Sequence, residues 1–280
     1  MIGKSINLWV CPEGKDIYQV LSVIKDAGFD AVEPNLDGHG YISLDSTQKD
    51  VENFKNHIEK TGLKIASFSS GLLWQYTLTC PNPDIRKRAE NILKKQIEFA
   101  HILGTDGILV IPGVVQADWS DQKEIVSYDI ALERVHQSIK NVLPYARDNN
   151  VCLCLEPVWN KFLISPVEMK NFVESFNSEY VGVYFDTGNV MLYGYPEMWI
   201  RILGKHIKKI HFKDFKTQIG NLNGFCMLLE GDVNWPEVMK ALTEIKFEGY
   251  ATAEFWPYRY HQETVIYHAS ISMDKILGKC

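Results

Sequence analysis

The chain has no Cys-x-x-Cys pair, no Gly-x-Gly-x-x-Gly or Walker-type loop after any predicted strand, no apolar run as long as a membrane span, and no surplus of basic residues. Each absence removes a class of protein. Without the glycine loops there is no backbone cradle for a dinucleotide or nucleoside triphosphate. Without a span of about 20 apolar residues there is no transmembrane helix. With 29 Lys and Arg against 35 Asp and Glu, the net charge of −6 excludes a general nucleic-acid or anionic-membrane surface, since either needs clustered cations. The six cysteines (Cys11, Cys80, Cys152, Cys154, Cys226 and Cys280) are scattered and are expected to be reduced thiols. Only a short apolar run separates Met1–Ser5 from Cys11-Pro12-Glu13, which does not read as a signal peptide, so a cytoplasmic protein is expected.

The sequence does contain a repeated βα rhythm. At 280 residues and 46% hydrophobic, one large domain over residues 1–280 is expected. Eight short β-type runs each precede a helical pattern. The strands are predicted at Ser5–Val10, Ala31–Asn35, Lys64–Ser70, Gly107–Pro112, Val151–Pro157, Val181–Asp186, Ile207–Asp214 and Gly249–Trp256. The helices are predicted at about Asp16–Ala27, Thr47–Lys60, Pro83–Leu103, Tyr128–Arg147, Pro166–Phe176, Pro196–Leu203, Trp235–Ile245 and His261–Leu277. Eight such units with continuously apolar strands indicate an α/β fold, a parallel (β/α)8 TIM barrel, rather than a doubly wound open sheet.

In a barrel the active site lies at the C-terminal strand ends, and here those ends are acidic. Strand two ends in Glu33, five in Glu156, six in Asp186, seven in His211 and eight in Glu254. Period-two alternation puts Cys152 and Cys154 on the inward face with Glu156, Thr252 and Trp256 with Glu254, and Lys213 one layer above His211. Four adjacent strands therefore aim Glu156, Asp186, His211 and Glu254 at one place. Three carboxylates there need compensation, by protonation or by a divalent cation. An oxygen-rich set with one imidazole suits Mn²⁺ first, with Mg²⁺, Co²⁺ or Zn²⁺ as alternatives. Glu33 reads as part of the same polar layer or as a hydrogen-bond partner to it. The remaining histidines, His39, His57, His101, His136, His206, His261 and His268, fall in predicted loops or helices and are not expected to be ligands.

The segments Leu155-Glu156-Pro157, Phe185-Asp186-Thr187-Gly188-Asn189, Ile210-His211-Phe212-Lys213-Asp214, Glu230-Gly231-Asp232-Val233-Asn234-Trp235 and Ala253-Glu254-Phe255 resemble, in order, those of the xylose-isomerase-like barrels. That superfamily includes sugar and sugar-phosphate 3-epimerases, hydroxypyruvate isomerase, inosose isomerase and dehydratase, and endonuclease IV. The likeness covers the second half by motif and the first half only by βα rhythm. It implies that Glu156, Asp186, His211 and Glu254 bind one divalent metal, and that Glu156 and Glu254 act as a proton-transfer pair on opposite faces of a substrate. Free-ketose epimerases similar to D-tagatose or D-psicose 3-epimerase carry a histidine where Asn189 stands. Asp-x-Gly-Asn instead resembles the L-xylulose-5-phosphate 3-epimerases. The acidic charge and the few histidines speak against a DNA-repair enzyme with a three-zinc cluster.

The expected function is thus a metal-dependent ketose or ketose-phosphate 3-epimerase or isomerase working through an enediolate. The alternatives are a lyase or dehydratase on a keto-sugar, keto-inositol or 3-keto-glycoside, and a non-catalytic, metal-stabilised binding protein. Lys213, Asn189, Trp9, Trp74 and Lys161 are the candidate substrate contacts, with Arg259 a weaker one. The Gly71–Asn82 segment, carrying Trp74 and Tyr76, is a candidate cover over the substrate. A homodimer or homotetramer is expected, with a small sugar or sugar phosphate as the partner molecule and neither nucleic acid nor membrane.

Overall fold

The computed structural model describes residues 2–12 and 14–279. Its eight barrel strands are β1 (Ile2–Asn7), β2 (Ala31–Glu33), β3 (Lys64–Ile65), β4 (Gly107–Val110), β5 (Cys152–Leu155), β6 (Val181–Asp186), β7 (Ile207–Phe212) and β8 (Gly249–Ala253). Each is followed by a helix: α1 (Ile17–Asp26), α2 (Gln48–Lys60), α3 (Pro83–Leu103), α4 (Tyr128–Asp148), α5 (Pro166–Glu174), α6 (Pro196–Leu203), α7 (Trp235–Glu244) and α8 (Thr264–Leu277). The starts are chemically marked. Asp16, Asn82, Ser165 and Asn234 each accept a backbone N–H of the first turn, and Thr47 with Asp50 forms a reciprocal capping box. No described helix is long and apolar enough to cross a membrane.

All pairings among these eight strands are parallel, in the order β3-β2-β1-β8-β7-β6-β5-β4. The ring closes at Phe68, which bridges Ile108: Phe68 N–H donates to Gly107 O at 3.3 Å and Leu109 N–H to Phe68 O at 3.0 Å. Gln96 of α3 donates to both Phe68 O (3.1 Å) and Leu109 O (3.2 Å), so the seam is satisfied from outside. The predicted barrel is therefore observed, with two local departures. Leu8–Val10 is not strand but a 3₁₀ turn capped by the Asn7 side chain, which accepts Trp9 N–H at 2.7 Å. The predicted third strand is broken; its last residues, Ser69–Ser70, leave the barrel ring to pair with Asn35–Leu36. His261 has φ of +50° and precedes α8 rather than starting it.

Inside the barrel, small residues alternate with long ones. A Cβ on Gly107 would lie 2.8 Å from Lys209 Cε, and Lys209 Nζ fills the lower barrel by donating to Ala66 O and Asp106 Oδ1. Above the mouth, the long β7–α7 loop is held by one carboxylate. Buried Asp214 accepts Leu229 N–H (2.9 Å), Val233 N–H (3.2 Å) and Trp235 Nε1–H (3.0 Å). Gly231 passes so close that a Cβ there would sit 2.2 Å from Asp214 Oδ1. This accounts physically for the Glu230-Gly231-Asp232-Val233-Asn234-Trp235 segment: the glycine lets the loop close on the acid, and the tryptophan ties the loop to α7. Asp214→Ala leaves these buried donors unmatched and is expected to cost about 3 kcal/mol in urea unfolding. A loss indistinguishable from zero would show that the loop is held by other contacts.

Candidate metal centre and active site

Four of the five residues singled out at strand ends meet in one buried cluster, and the fifth, Glu33, stands behind it. Asp186 and His211 are direct neighbours in the β6–β7 register, Glu156 directly follows β5, and Glu254 directly follows β8. One ligand atom from each of Glu156, Asp186, His211 and Glu254 lies within 4.8 Å of all the others. A cation with bonds of about 2.1 Å needs ligand atoms no more than about 4.2 Å apart across it, so this set is close to a coordination sphere without rearrangement. His211 Nδ1 faces the cluster, 2.8 Å from Glu254 Oε2, 3.3 Å from Glu156 Oε1 and 3.8 Å from Asp186 Oδ2.

The imidazole is held from behind. Its Nε2 lies 2.9 Å from Glu33 Oε1, and Glu33, fully buried, also accepts from Asn7 Nδ2, Ser67 Oγ and Tyr184 OH. Burial acts to raise the Glu33 carboxyl, but His211, Ser67 and Tyr184 outweigh it and hold it below its usual range. An ionised acceptor on Nε2 leaves Nδ1 as the nitrogen that could bind a metal. Tyr184 crosses from β6, with its ring 4.3 Å from that of His211. Glu33 is thus a hydrogen-bond partner of the cluster and not a member of it.

Asp186 is the acid least satisfied by protein. Its Oδ1 accepts Asn189 N–H at 2.8 Å, while Oδ2 is buried and accepts no hydrogen bond, although Lys213 Nζ stands 3.3 Å away. That contact compensates charge without satisfying the oxygen as a hydrogen bond would. Lys213 Nζ is also 2.9 Å from Glu254 Oε2. Thr187 fixes this lysine, accepting Lys213 N–H at 3.0 Å and donating to Lys213 O at 2.7 Å. Gly188 is required by the same contact, since a Cβ there would be 2.7 Å from Lys213 Cβ. Asn189 Nδ2 donates to Glu156 Oε1 at 3.4 Å. The Asp186-Thr187-Gly188-Asn189 turn therefore joins three of the four cluster residues.

Four buried carboxylates, counting Glu33, face one lysine and one imidazole. Even with the imidazole protonated, the site is short of positive charge. The protein's own groups respond in opposite directions. Burial, reinforced by Glu254, pushes Glu156 up to about 7 against His211 and Lys213. Burial also opposes ionisation of Glu254, but Lys213 and His211 outweigh it and pull that carboxyl down to about 2. Burial would lower His211, yet Glu33 and Glu254 hold the imidazolium well above its usual range. The unsatisfied Asp186 oxygen, the charge deficit and the three-oxygen, one-nitrogen donor set all fit a divalent cation.

The cluster opens into a cavity of about 670 Å³ walled by indoles: Trp9, Trp74, Trp119, Trp159 and Trp256 all line it, together with Asp37, Asn189, Lys213, Leu222 and Phe225. Of the predicted substrate contacts, Trp9, Trp74, Asn189 and Lys213 are thus in the wall. Lys161 is not; it lines a neighbouring cavity. Arg259 lies by Tyr260, outside both. The Gly71–Asn82 segment is not a detachable cover, because Leu72, Leu73, Thr77, Leu78 and Thr79 are buried and Tyr76 packs on Arg88. Sequence reasoning missed Asn7, Tyr184, Asp37, Trp119 and Trp159; of these only Tyr184 carried a signal, being two residues from Asp186 on the inward face.

The family profile described as "Xylose isomerase-like TIM barrel" matches residues 21–275. The chain belongs to that family. Among relatives of this xylose isomerase-like barrel, L-ribulose-5-phosphate 3-epimerase UlaE of Escherichia coli O1:K1 / APEC is 23% identical over 263 residues, covering 91% of this chain and 89% of that protein. The structure of D-psicose 3-epimerase from Clostridium cellulolyticum H10 superposes with a TM-score of 0.80 at 16% identity, covering 99% of each chain. That of an L-ribulose 3-epimerase superposes at 0.79 and 18% identity, covering 100% of this chain and 97% of that one. These superpositions show the same fold.

A divalent cation in this cluster would compete with protons for its ligands. Glu156 and His211 carry protons at lower pH and must lose them to become ligands, so binding releases protons and strengthens as pH rises. Metal affinity is expected to climb with pH by up to about tenfold per unit for each proton released, the Glu156 contribution levelling off above about pH 7 and that of His211, whose imidazolium is held well above its usual range, continuing at higher pH. Calorimetry in buffers of different ionisation enthalpy measures this directly. Uptake that is independent of pH and releases no proton would place the metal elsewhere.

Proposed function

We propose that this protein is a divalent-metal-dependent 3-epimerase or isomerase of a ketose or ketose derivative, with Glu156 and Glu254 as its proton-transfer pair and Glu156, Asp186, His211 and Glu254 as its metal ligands. The observation that carries the reading is the convergence of those four ligand atoms within 4.8 Å at the floor of an indole-walled cavity. The names of the three proteins compared above, 3-epimerases of ketoses or a ketose phosphate, support the same class. Mn²⁺ fits the oxygen-rich set best.

A bound divalent cation would supply Lewis acidity to the substrate's carbonyl and neighbouring hydroxyl and stabilise enediolate charge. The chain's own residues do the rest. Glu156 and Glu254 come from β5 and β8, which are separated by β6 and β7 around the ring, so their carboxylates approach from well-separated walls. One removes a proton from the carbon next to the carbonyl, and the other returns a proton to the opposite face. Their environments differ: Lys213 contacts Glu254 and not Glu156, and this separates their basicities. Asn189 orients Glu156, and Glu33 holds His211. The indoles exclude water from the reacting carbon.

With Mn²⁺ present and ketoses or ketose phosphates screened in deuterated water, label is expected at C3 of a substrate. Glu156→Gln and Glu254→Gln are expected to lower kcat by about 10²–10⁴-fold with the fold retained. Asp186→Ala and His211→Ala are expected to lose the metal, as read by elemental analysis. A metal-replete protein that exchanges no proton from any ketose would overturn the assignment, and an unsaturated product would move it to a lyase.

A further inference from the structure

The cavity above the cluster does not end at its own rim. A second cavity of about 770 Å³ adjoins it and shares Trp119, Trp159 and Leu222 as common wall. The shared indoles are held in place. Trp159 Nε1–H donates to Asn189 O at 2.8 Å, which ties it to the Asp186 turn, and its ring packs edge-on against Phe215 at 5.3 Å. Trp119 packs edge-to-face on Trp74 at 5.5 Å, and Ser120 Oγ and Asp121 N–H both donate to Trp74 O. Trp119 is nevertheless 41% exposed, so a rigid apolar plane faces the groove between the two spaces.

The two spaces differ in chemistry. The inner one has a single cation in its wall, Lys213, already committed to Asp186 and Glu254, and it also carries the Asp37 carboxylate. It is therefore hostile to a second anion on the substrate. The outer one presents side-chain amides from Gln116, Asn221 and Asn223 beside Tyr193; Gln116 Nε2 donates to Asp118 Oδ1 and Asn221 Nδ2 to Ile219 O, and each amide keeps a second N–H and acceptor capacity for a hydroxyl. Its Lys123 is spent on the carbonyls of Ser120 and Asp118, and its other cation, Lys161, shares the wall with the Asp118 carboxylate, so the two charges there offset each other across the cavity without converging cations. Flat aromatic faces for C–H surfaces and amides for hydroxyls are what an uncharged sugar ring requires, whereas a phosphate calls for convergent Arg, Lys or backbone N–H donors.

We infer that the outer cavity is a binding subsite for an uncharged ring, a second sugar or an aryl group, carried by the ketose that occupies the metal-site cavity. The inference rests on the sugar-enzyme reading above and names the substrate class: a neutral, substituted ketose rather than a free or phosphorylated one. The substituent lies along Trp119 and Trp159, with its hydroxyls on the amides of the outer wall.

Three probes that differ only at one position test this: D-fructose, its 6-O-glucosyl derivative isomaltulose, and D-fructose 6-phosphate. They are titrated calorimetrically into the Mn²⁺-loaded protein and into its Trp119→Ala and Asn221→Ala/Asn223→Ala variants. Isomaltulose is expected to bind at least about tenfold tighter than fructose, the equivalent of one good aromatic contact. That ratio is expected to fall towards one in each variant. Equal binding of the two, tighter binding of the phosphate, or a ratio untouched by the substitutions overturns the subsite. Deuterium exchange at C3 is read separately on the same samples. A preserved ratio without exchange would count against the epimerase reading and leave the subsite standing, while exchange without the ratio would do the reverse.

Discussion

The hydrogen bond from His211 Nε2 to Glu33 is the contact on which the site depends. It selects the tautomer, aims Nδ1 at the three carboxylates and places a negative charge behind the ring. Glu33 can do this only because Asn7, Ser67 and Tyr184 satisfy its oxygens, and those residues come from β1, from the segment after β3, and from β6. One buried carboxylate therefore draws together strands that are far apart in the ring. A buried network of this kind is worth having only when every member is paired, and in this layer the one orphaned oxygen belongs to Asp186, on the side facing the cluster.

A second layer follows from the first. Lys213 balances Asp186 and Glu254, and its position is set by Thr187 and by the room that Gly188 leaves. The loops above are anchored to the same turn and to the same strand ends, through Trp159 on Asn189 and through Asp214 gripping residues 229–235. The cavity wall is thus not an independent set of flexible loops; its best-fixed parts are bonded to the residues that form the floor. That is the geometry a pre-organised site requires, because movement of the wall would have to break bonds made by the floor.

The barrel and the four strand-end residues were legible because both rest on local patterns: βα alternation repeats along the chain, and period two decides which side chains share a face. What was hidden depends on contacts distant in sequence or on loops without a period. Leu8-Trp9-Val10 has the composition of a strand, so Asn7 read as mid-strand; in the fold it ends β1, caps the following turn and reaches Glu33. Tyr184 resembles any aromatic in a buried strand, and only its partner across the barrel reveals its hydroxyl as a donor. Trp119 and Trp159 stand in loops where no periodicity predicts direction. Lys161 shows the limit of sequence proximity: closeness to a strand end suggested a place beside the cluster, and the fold puts it in the wall of the adjoining cavity instead.

These two kinds of legibility separate chemistry from recognition. The proposed proton-transfer pair and metal cage sit on or directly after strands, where geometry is dictated by the ring and tolerates little change. The surfaces that meet the rest of a substrate come from the β4–α4, β5–α5 and β7–α7 connections, whose conformations are set by individual hydrogen bonds such as those of Asp214, Asn160 and Trp159. Asn189 spans both, since its backbone caps Asp186 and receives Trp159 while its side chain lines the cavity and reaches Glu156. A substitution there alters the surroundings of Glu156 and the cavity wall together. It follows that a change of substrate within such a barrel is less disruptive when made in the indole wall, where Trp119 and Trp256 contact the cavity but bond none of the cluster residues.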